Sequence, residues 1–421
     1  MKPALLLLII LFAICGFGYK AFTQIVNIPD ANFKAALVSN SSINTNGDGE
    51  IQTSEAAAFS GSIDVNNMSI ADLTGIEAFT ALTYLFCTDN QLTNLNISAN
   101  TALTYLNCGS NQITSLDVSA NNVLATLWCV NNQITSLNVS ANTALSSLGC
   151  SNNQLTSLDV SGNTALTELY CNNNQLTSLN VSANNALIDL WCGYNQLTSL
   201  DVSGNTTLKR LLCYVNQLTS LNVSESTALT LLSCGYNQLT SLDVSTNIAL
   251  SMMYCFDNKL TSLNVSGNVA LSDLYCFNNQ LTILNVKNGN NINFIDFKAI
   301  GNPNLTCINV DDSIWSTANW TNIDAGAYFS ENCYTGIPSL TNTTEIKTYP
   351  NPANNELKVE SEMLKVEGFN LTMYDLFGKE VFSTEITENE QSINISKLAN
   401  GLYTLKIITD SGITVKKIIK N

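Results

Sequence analysis

The sequence predicts a mainly β protein: a solenoid of short parallel strands with one coil per 21 residues, followed by a small antiparallel β-sandwich. Ten cysteines recur at intervals of 21 residues from Cys87 to Cys276. Each lies in a near copy of one motif, for example LTELYCNNNQLTSLNVSANNA at residues 166–186. After residue 344 the pattern changes to short runs in which apolar and polar residues alternate. A fixed period of about 20 to 50 residues is typical of a solenoid, in which each unit buries its apolar edge against its neighbours.

The composition disfavours several classes of function. Only 12% of the residues are charged, and acids outnumber bases by 33 to 17. An acidic surface repels nucleic acid and anionic membranes, so we expect neither as a partner. The chain contains no histidine, which excludes histidine-based triads, general bases and metal ligands. It also has no GxSxG or phosphate-loop motif, and near-identical coils offer no unique pocket for chemistry. We therefore expect no enzyme.

Residues 1–24 have the pattern of a secretory signal peptide. Lys2 precedes an apolar run over residues 4–14, which small and polar residues follow. The run is too short to span a bilayer, and we expect no membrane span elsewhere. Cys15 suggests a lipid anchor as an alternative, but Ile14 lies where a small residue is expected. The mature protein is therefore expected to pass through the periplasm and to be secreted or held at the outer-membrane cell surface.

Residues 25–62 predict an N-terminal cap with two short helices. The segment DANFKAALVS places Phe33, Ala36 and Leu37 on one side of an amphipathic helix, and EAAAF predicts the second helix.

The twelve residues from Asn44 to Glu55 resemble an EF-hand loop, with Gly49 at the position of the sharp turn. The resemblance implies calcium ligands at Asn44, Asn46, Asp48, Glu50 and Glu55. Asn44 stands where the family has Asp, which removes one charge and lowers the expected affinity. The alternative is a glycine-rich turn between the two cap helices. No cofactor is required, and calcium is the one that the sequence allows.

Residues 63–290 form the predicted solenoid, and each regular coil contains two half-units. One has the pattern LxxLxCxxN, as in Leu103, Leu106, Cys108 and Asn111, and the other has LxxLxVxxN. Together they resemble the leucine-rich repeat in its short bacterial 21-residue form with a strand in both halves, the IRREKO type. The resemblance spans residues 82–286, and the degenerate coil before it resembles an internalin repeat. The departure from the family is the cysteine in place of the third leucine.

The cysteine column is predicted to be packing. In a strand, Leu and Cys at alternate positions both point into the core. Stacked parallel cysteines are poorly placed for disulfides, which require Cβ atoms about 3.8 Å apart, and no histidine or CxxC pair supports a metal array. The resemblance further implies that the recurring asparagines, such as Asn111, hydrogen-bond the backbone at each corner.

Coils that agree at most other positions differ from one another at the outward positions next to each cysteine. Many of them carry a large aromatic residue there. Alternating strand geometry points these side chains at solvent, and they are the candidate ligand-binding residues. They are Trp128, Tyr170, Trp191, Tyr194, Tyr214, Tyr236, Tyr254, Phe256, Tyr275 and Phe277. The alternative is that neighbouring rings only stack along the sheet, each pair adding about 0.2 to 1 kcal/mol. In the second half-unit the outward positions hardly vary from Thr, Ser and Asp or Asn.

Residues 291–336 leave the 21-residue period but remain rich in aromatics, which predicts a C-terminal cap. Cys307 and Cys333 also fall outside the period, and in an exported protein they are the expected disulfide pair. Residues 337–344 predict a polar linker.

Residues 345–421 predict an antiparallel β-sandwich of about seven short strands. Four segments occur in order: YPNPANNEL, YDLFGKEV, LANGLYTLKI and KKIIK. They resemble the type A C-terminal sorting domain of the type IX secretion system of Bacteroidetes. That resemblance implies export across the outer membrane by this machinery, which is then the partner of residues 345–421. It also implies removal of the domain, which we place near Thr341, with the mature protein either attached to the surface or released.

The function predicted from these features is a non-enzymatic protein that binds a protein or glycan ligand in adhesion or recognition. The alternative is an inert structural rod of the cell-surface layer. An inert rod should show random drift or small polar residues on every face, whereas a binding protein should concentrate large residues on one.

Overall fold

The computed structural model describes residues 24–333, 347–360, 369–375, 379–388, 390–409 and 412–421. The predicted signal peptide and the predicted linker lie outside these residues, apart from Gln24. The chain divides into two compact units, Met1–Asn332 and Cys333–Asn421. In the described part of the chain, no helix is both long and apolar enough to cross a membrane.

The first unit contains a parallel sheet that has twelve strands within the described residues. Its strands are β1 (Ser62–Asp64), β2 (Tyr84–Phe86), β3 (Tyr105–Asn107), β4 (Thr126–Trp128), β5 (Ser147–Gly149), β6 (Glu168–Tyr170), β7 (Asp189–Trp191), β8 (Arg210–Leu212), β9 (Leu231–Ser233), β10 (Met252–Tyr254), β12 (Asp273–Tyr275) and β14 (Asp296–Lys298). Equivalent residues of successive coils pair, for example Leu169 with Leu190. The middle residue of each strand is buried, so its two neighbours face outward.

A second parallel sheet lies on the other half-unit and is regular only in the last coils. Its strands are β11 (Ser262–Asn264), β13 (Ile283–Asn285), β15 (Cys307–Asn309) and β16 (Tyr328–Ser330). In earlier coils an isolated bridge between Asp201 and Asn222 marks the same position. A strand in both halves is thus present in the C-terminal coils, while most other coils have a regular strand in the first half alone.

The core consists mainly of leucines, valines and the ten column cysteines. All ten of these cysteines are buried and have free thiols. Burial raises the pKa of Cys87 and of Cys171 to about 12. These thiols therefore carry no reactive thiolate at neutral pH, as the packing interpretation predicts.

Two columns of buried asparagines connect the coils. In the first, Asn153 Nδ2 donates to the carbonyls of Cys129 and Cys150 at 3.0 and 3.1 Å, and its Oδ1 accepts from Ile134 N–H at 2.9 Å. In the second, Asn163 Nδ2 donates to the carbonyls of Val139 and Asn142 at 3.0 and 2.8 Å. The amides thus satisfy the backbone groups that the corners of each coil leave unpaired.

Residues 291–333 continue the coil with strands in both sheets, and their role as a C-terminal cap stays a prediction. Strand β14 pairs with β12, so that Asp273 lies beside Asp296 after 23 residues. Strand β16 pairs with β15 in the second sheet. A helix, α3 (Ser313–Asn319), lies between β15 and β16. The predicted aromatic packing is present, because Phe297 and Trp320 stack at 4.2 Å between ring centroids.

The N-terminal cap contains the two predicted helices, which we name α1 (Ala31–Ser39) and α2 (Thr53–Ala58). Asp30 caps α1 by accepting from the N–H groups of Asn32 and Phe33. Phe33 and Leu37 are buried in the core of the solenoid. Two 3₁₀ turns, Ile76–Ala78 and Asn291–Asn293, complete the helical elements that the described residues contain.

The second unit has the predicted seven strands in its described residues. They are β17 (Lys347–Tyr349), β18 (Glu356–Glu360), β19 (Phe369–Tyr374), β20 (Glu380–Ile386), β21 (Glu390–Asn394), β22 (Gly401–Thr409) and β23 (Gly412–Lys420). They form two antiparallel sheets, β17-β18-β21 and β20-β19-β22-β23. Leu357, Leu371 and Leu405 lie in the buried cluster between them.

Cys307 and Cys333 are both disulfide-bonded cysteines. That they bond to each other stays a prediction.

Candidate ligand-binding face

We use the term aromatic face for the outward side chains of the twelve-stranded sheet together with the two residues that follow each column cysteine. Successive coils lie about 4.8 Å apart, the spacing of hydrogen-bonded strands. Equivalent side chains therefore form rows along the solenoid. All ten predicted ligand-binding residues lie on this face.

Trp128, Tyr170 and Trp191 form one aromatic cluster. The rings of Tyr170 and Trp191 meet edge to face at 5.0 Å. Trp128 reaches Tyr170 at 5.9 Å although a whole coil separates them. Gly149 occupies the paired position in the coil between them and places no side chain between the two rings. The cluster is half-buried by its own members.

Polar groups in the neighbouring row fix this cluster. Trp128 Nε1 donates to Ser147 Oγ at 3.2 Å, and Ser147 Oγ donates to Glu168 Oε2 at 2.8 Å. The next two coils supply an ion pair between Asp189 and Arg210. Burial raises the pKa of the Tyr170 hydroxyl, and the carboxylates of Glu168 and Asp189 raise it further. The hydroxyl is therefore a neutral hydrogen-bond donor at neutral pH.

A second cluster lies in the last coils. Phe256 and Phe277 stack with ring centroids 4.6 Å apart, and Tyr254 contacts Tyr275 at 4.8 Å. The Tyr275 hydroxyl donates to Asp296 Oδ2 at 2.6 Å. Lys298 Nζ lies 4.0 Å above the Tyr275 ring, a cation–π contact.

Tyr194 and Tyr236 are the most exposed of the predicted residues, at 48% and 53%. Each meets one ring of the following coil edge to face, Tyr214 and Phe256 respectively, at 5.3 Å. The other eight predicted aromatics are half-buried. Ring stacking, the alternative interpretation, is therefore a real part of the arrangement. The role of the ten residues in binding stays a prediction.

Sequence reasoning missed two members of this face. Tyr84 and Tyr105 occupy the first residue of their strands and lie 6.2 Å apart. Phe86 contacts Tyr105 at 4.9 Å. Tyr84 and Tyr105 lie two residues before Phe86 and Asn107 in their strands. Residues two apart in a strand point to the same side, so this spacing could have placed the two tyrosines on the aromatic face.

The EF-hand-like loop is closed by its own hydrogen bonds. Glu55 Oε1 accepts from the N–H groups of Thr45 and Asn46, and Oε2 accepts from Gln52 N–H. Burial acts to raise the pKa of Glu55, but these hydrogen bonds outweigh it and hold the pKa below its usual value. Asp48 Oδ2 accepts from the side-chain amides of Asn46 and Gln52.

Asn44 is buried, and its Oδ1 accepts from Gly47 N–H at 3.0 Å. Glu50 forms an ion pair with Lys34 at 2.7 Å. No cluster of three or more His, Cys, Asp or Glu side chains that could hold a metal occurs among the described residues. A calcium site here would depend on the amide oxygens of Asn44 and Asn46, and the loop is equally complete as a turn.

We predict that millimolar Ca²⁺ raises the melting temperature, because extracellular sites of this kind work at about 10⁻⁴ to 10⁻³ M. Asp48→Ala should abolish the rise. Glu50→Gln is the matched control, since position 7 of such a loop contributes its backbone carbonyl. Melting curves of the three proteins with Ca²⁺ or EDTA decide the matter. A wild-type curve that Ca²⁺ does not shift would leave the turn as the role of this loop.

Comparisons with known proteins agree with the two-part architecture. Residues 347–421 match the secretion system C-terminal sorting domain. The chain is similar to the functional domain of InlJ from Listeria monocytogenes, which includes a cysteine ladder, with 28% identity and a TM-score of 0.63. That match covers 95% of this chain and 100% of the other. No curated protein sequence matches the chain.

A second solved structure shows the same fold. The internalin InlF from Listeria monocytogenes strain 4b F2365 is 22% identical with a TM-score of 0.54, and the match covers 76% of this chain and 100% of that one. The first unit thus has the fold of a leucine-rich repeat solenoid, similar to these two solved structures, and the second matches the sorting domain of the secretion system. The sorting domain directs the protein to the cell surface or into the medium. No catalytic family is indicated.

Proposed function

We propose that this exported protein is a non-enzymatic receptor or adhesin that binds a protein or glycan ligand through its aromatic face. The observation that carries the proposal is that the divergence of otherwise similar coils is concentrated at this face. The row just before the cysteines contains Trp128, Gly149, Tyr170, Trp191 and Leu212 in successive coils. The inward leucine and cysteine on either side of each of these residues do not change.

The opposite half-unit provides the internal comparison. There the outward residue alternates between Asn and Asp, and each accepts from the N–H of the serine two residues later, as Asp117 does from Ser119 at 2.9 Å. Such turns are structural, and they repeat from coil to coil. An inert rod would show this regularity on both sides, so the variable aromatic face favours the binding function over the rod.

Energetics also separate the two functions. Aromatic pairs contribute about 0.5 to 1.5 kcal/mol beyond their buried area, so stacking explains part of the ring content. Stacking does not require side chains that remain about half exposed, as Tyr194 and Tyr236 do. Tyr and Trp offer large contact area at low entropic cost and dominate binding hot spots.

We predict that Tyr170→Ala combined with Trp191→Ala weakens ligand binding at least tenfold, because two hot-spot rings are lost. The protein from residue 25 onward would be screened on a glycan array and against extracellular proteins, and the best hit titrated. Melting temperature would be measured in parallel.

Tyr328→Ala is the matched control, since Tyr328 is a 60% exposed tyrosine on the second sheet. Binding lost with melting nearly unchanged supports the proposal. If the variant loses stability but its folded fraction still binds fully, the rings serve to stabilise the fold. That result would favour the structural rod.

A further inference from the structure

The second residue after each column cysteine has a positive φ in every regular coil. These residues are Asp89, Ser110, Asn131, Asn152, Asn173, Tyr194, Val215, Tyr236, Asp257 and Asn278. Asn and Asp tolerate the left-handed region because their short polar side chains hydrogen-bond locally. For bulky or β-branched residues it is an unfavourable conformation.

Three consecutive coils depart from the pattern. Tyr194, Val215 and Tyr236 have φ values of 52, 52 and 51°. The chain therefore keeps side chains that the fold disfavours at the positions where neighbouring coils carry asparagine. Unfavourable backbone conformations cluster at functional sites, so these positions are candidates for a role in binding.

Tyr194 and Tyr236 lie in two copies of the same local arrangement. Gly193 precedes Tyr194, and a Cβ at Gly193 would lie 3.0 Å from the Tyr214 ring. Gly235 precedes Tyr236, and a Cβ there would lie 2.9 Å from the Phe256 ring. The glycines thus let a ring of the following coil settle over the backbone.

In both copies the ring of the exposed tyrosine is nearly perpendicular to that ring. The interplanar angle is 80° for Tyr194 with Tyr214 and 88° for Tyr236 with Phe256. We use the term aromatic slot for the exposed corner between the two perpendicular rings of each pair.

The segments that carry Tyr194, Tyr214 and Tyr236 contain no charged residue, and the nearest cation is Lys259, whose Nζ donates to Gln238 Oε1 at 3.2 Å. The segments GYNQ, YVNQ and GYNQ lie side by side at residues 193–196, 214–217 and 235–238. Gln196, Gln217 and Gln238 are exposed and present amide donors and acceptors. This combination suits a neutral ligand with apolar rings and free carbonyl groups.

The separation of the slots constrains the ligand further. They lie two coils apart, which is roughly 10 Å at the strand spacing. A polyproline II helix presents the same side every three residues, a repeat of about 9 Å. An extended strand repeats about every 7 Å and does not match. A polyproline II helix also has no internal hydrogen bonds, so its carbonyls are free to accept from the glutamines.

We propose that the two slots bind a proline-rich polypeptide segment in the polyproline II conformation, with one proline ring in each slot and three residues from one to the next. This inference rests on the proposed function and names the class of partner and its position on the aromatic face.

The test is the double variant Tyr194→Asn with Tyr236→Asn, which gives both coils the residue that Asn152 and Asn173 already provide. The variant should melt close to the wild-type temperature, because relief of the unfavourable φ offsets the loss of one edge-to-face ring contact in each coil. Wild-type protein should bind decaproline, and the variant should bind it at least tenfold more weakly. A peptide of alternating L- and D-proline has the same composition and cannot form the helix, so neither protein should bind it.

Three results would overturn the inference. They are equal binding of decaproline by both proteins, a clear fall in the melting temperature of the variant, and wild-type binding of chitohexaose but not of decaproline. The last result would assign the slots to a glycan. None of them decides the proposed function, which the Tyr170 and Trp191 variant tests with its own ligand.

Discussion

Deleting residues 345–421 is expected to abolish export and to leave the solenoid in the periplasm. The deletion removes all seven described strands of the second unit, and the first unit has its own core from Ile28 to Phe329. The passenger should therefore fold normally and fail only in transport. Fractionation, with surface proteolysis of intact cells, would measure this as a loss of surface or medium protein to background.

A point variant can separate the fold of the sorting domain from its mere presence. Leu405 is fully buried between the two antiparallel sheets, so Leu405→Asp places an unpaired carboxylate in that core. Thr404→Asp is the matched control, because Thr404 is the exposed neighbour on the same strand. We expect the first variant to behave as the deletion and the second as wild type. Export of both variants alike would mean that the machinery recognises a linear signal.

The processing step is a separate expectation. Removal of the domain near Thr341, in a segment outside the described residues, should leave a surface protein without its C-terminus. Mass spectrometry of the mature protein checks this. An intact C-terminus at the surface would contradict processing and leave the export role unaffected.

Most of the solenoid could be predicted from the sequence because each coil contacts mainly its neighbours. A motif that specifies one coil therefore specifies the stack, as the regular pairing of Leu169 with Leu190 shows. The 21-residue interval ends in residues 291–333, where the cysteine that marks a coil is replaced by the buried Ala299 and the central leucine by Phe297. The inward positions remain apolar, but the interval and the marker residue change together.

The candidate face could be predicted only in part. Period-2 alternation gives the side of the strand on which Trp128 or Tyr170 lies, but not how far neighbouring rings cover each other. That depends on small residues such as Gly149, whose effect appears only when coils are stacked. The alternation pattern also does not predict the positive φ of Tyr194. Asn131, Asn152 and Asn173 at the same position of earlier coils could have indicated it, because asparagine tolerates a positive φ.

Asn153→Ala is expected to lower the free energy of unfolding by about 2 to 3 kcal/mol, because a buried group left without a hydrogen bond costs about 1 to 3 kcal/mol and the variant leaves the Ile134 N–H without its acceptor. It also removes one donor each from the carbonyls of Cys129 and Cys150, which keep a hydrogen bond from Asn132 and Asn174. These groups belong to two successive coils, so the loss weakens the interface on which a solenoid depends.

The second asparagine column supplies the matched comparison, because Asn163 donates to two carbonyls while its Oδ1 has no partner in the described residues. The chain already replaces this residue once by serine, and Ser226 Oγ lies 3.4 Å from the carbonyls of Val202 and Asn205. Asn163→Ser should therefore cost only about 1 kcal/mol, one ordinary hydrogen bond. Urea unfolding of both variants, compared at equal slope, measures the difference. Equal losses would show that the two columns contribute alike, and that the three bonds described for Asn153 do not add to more than the two of Asn163.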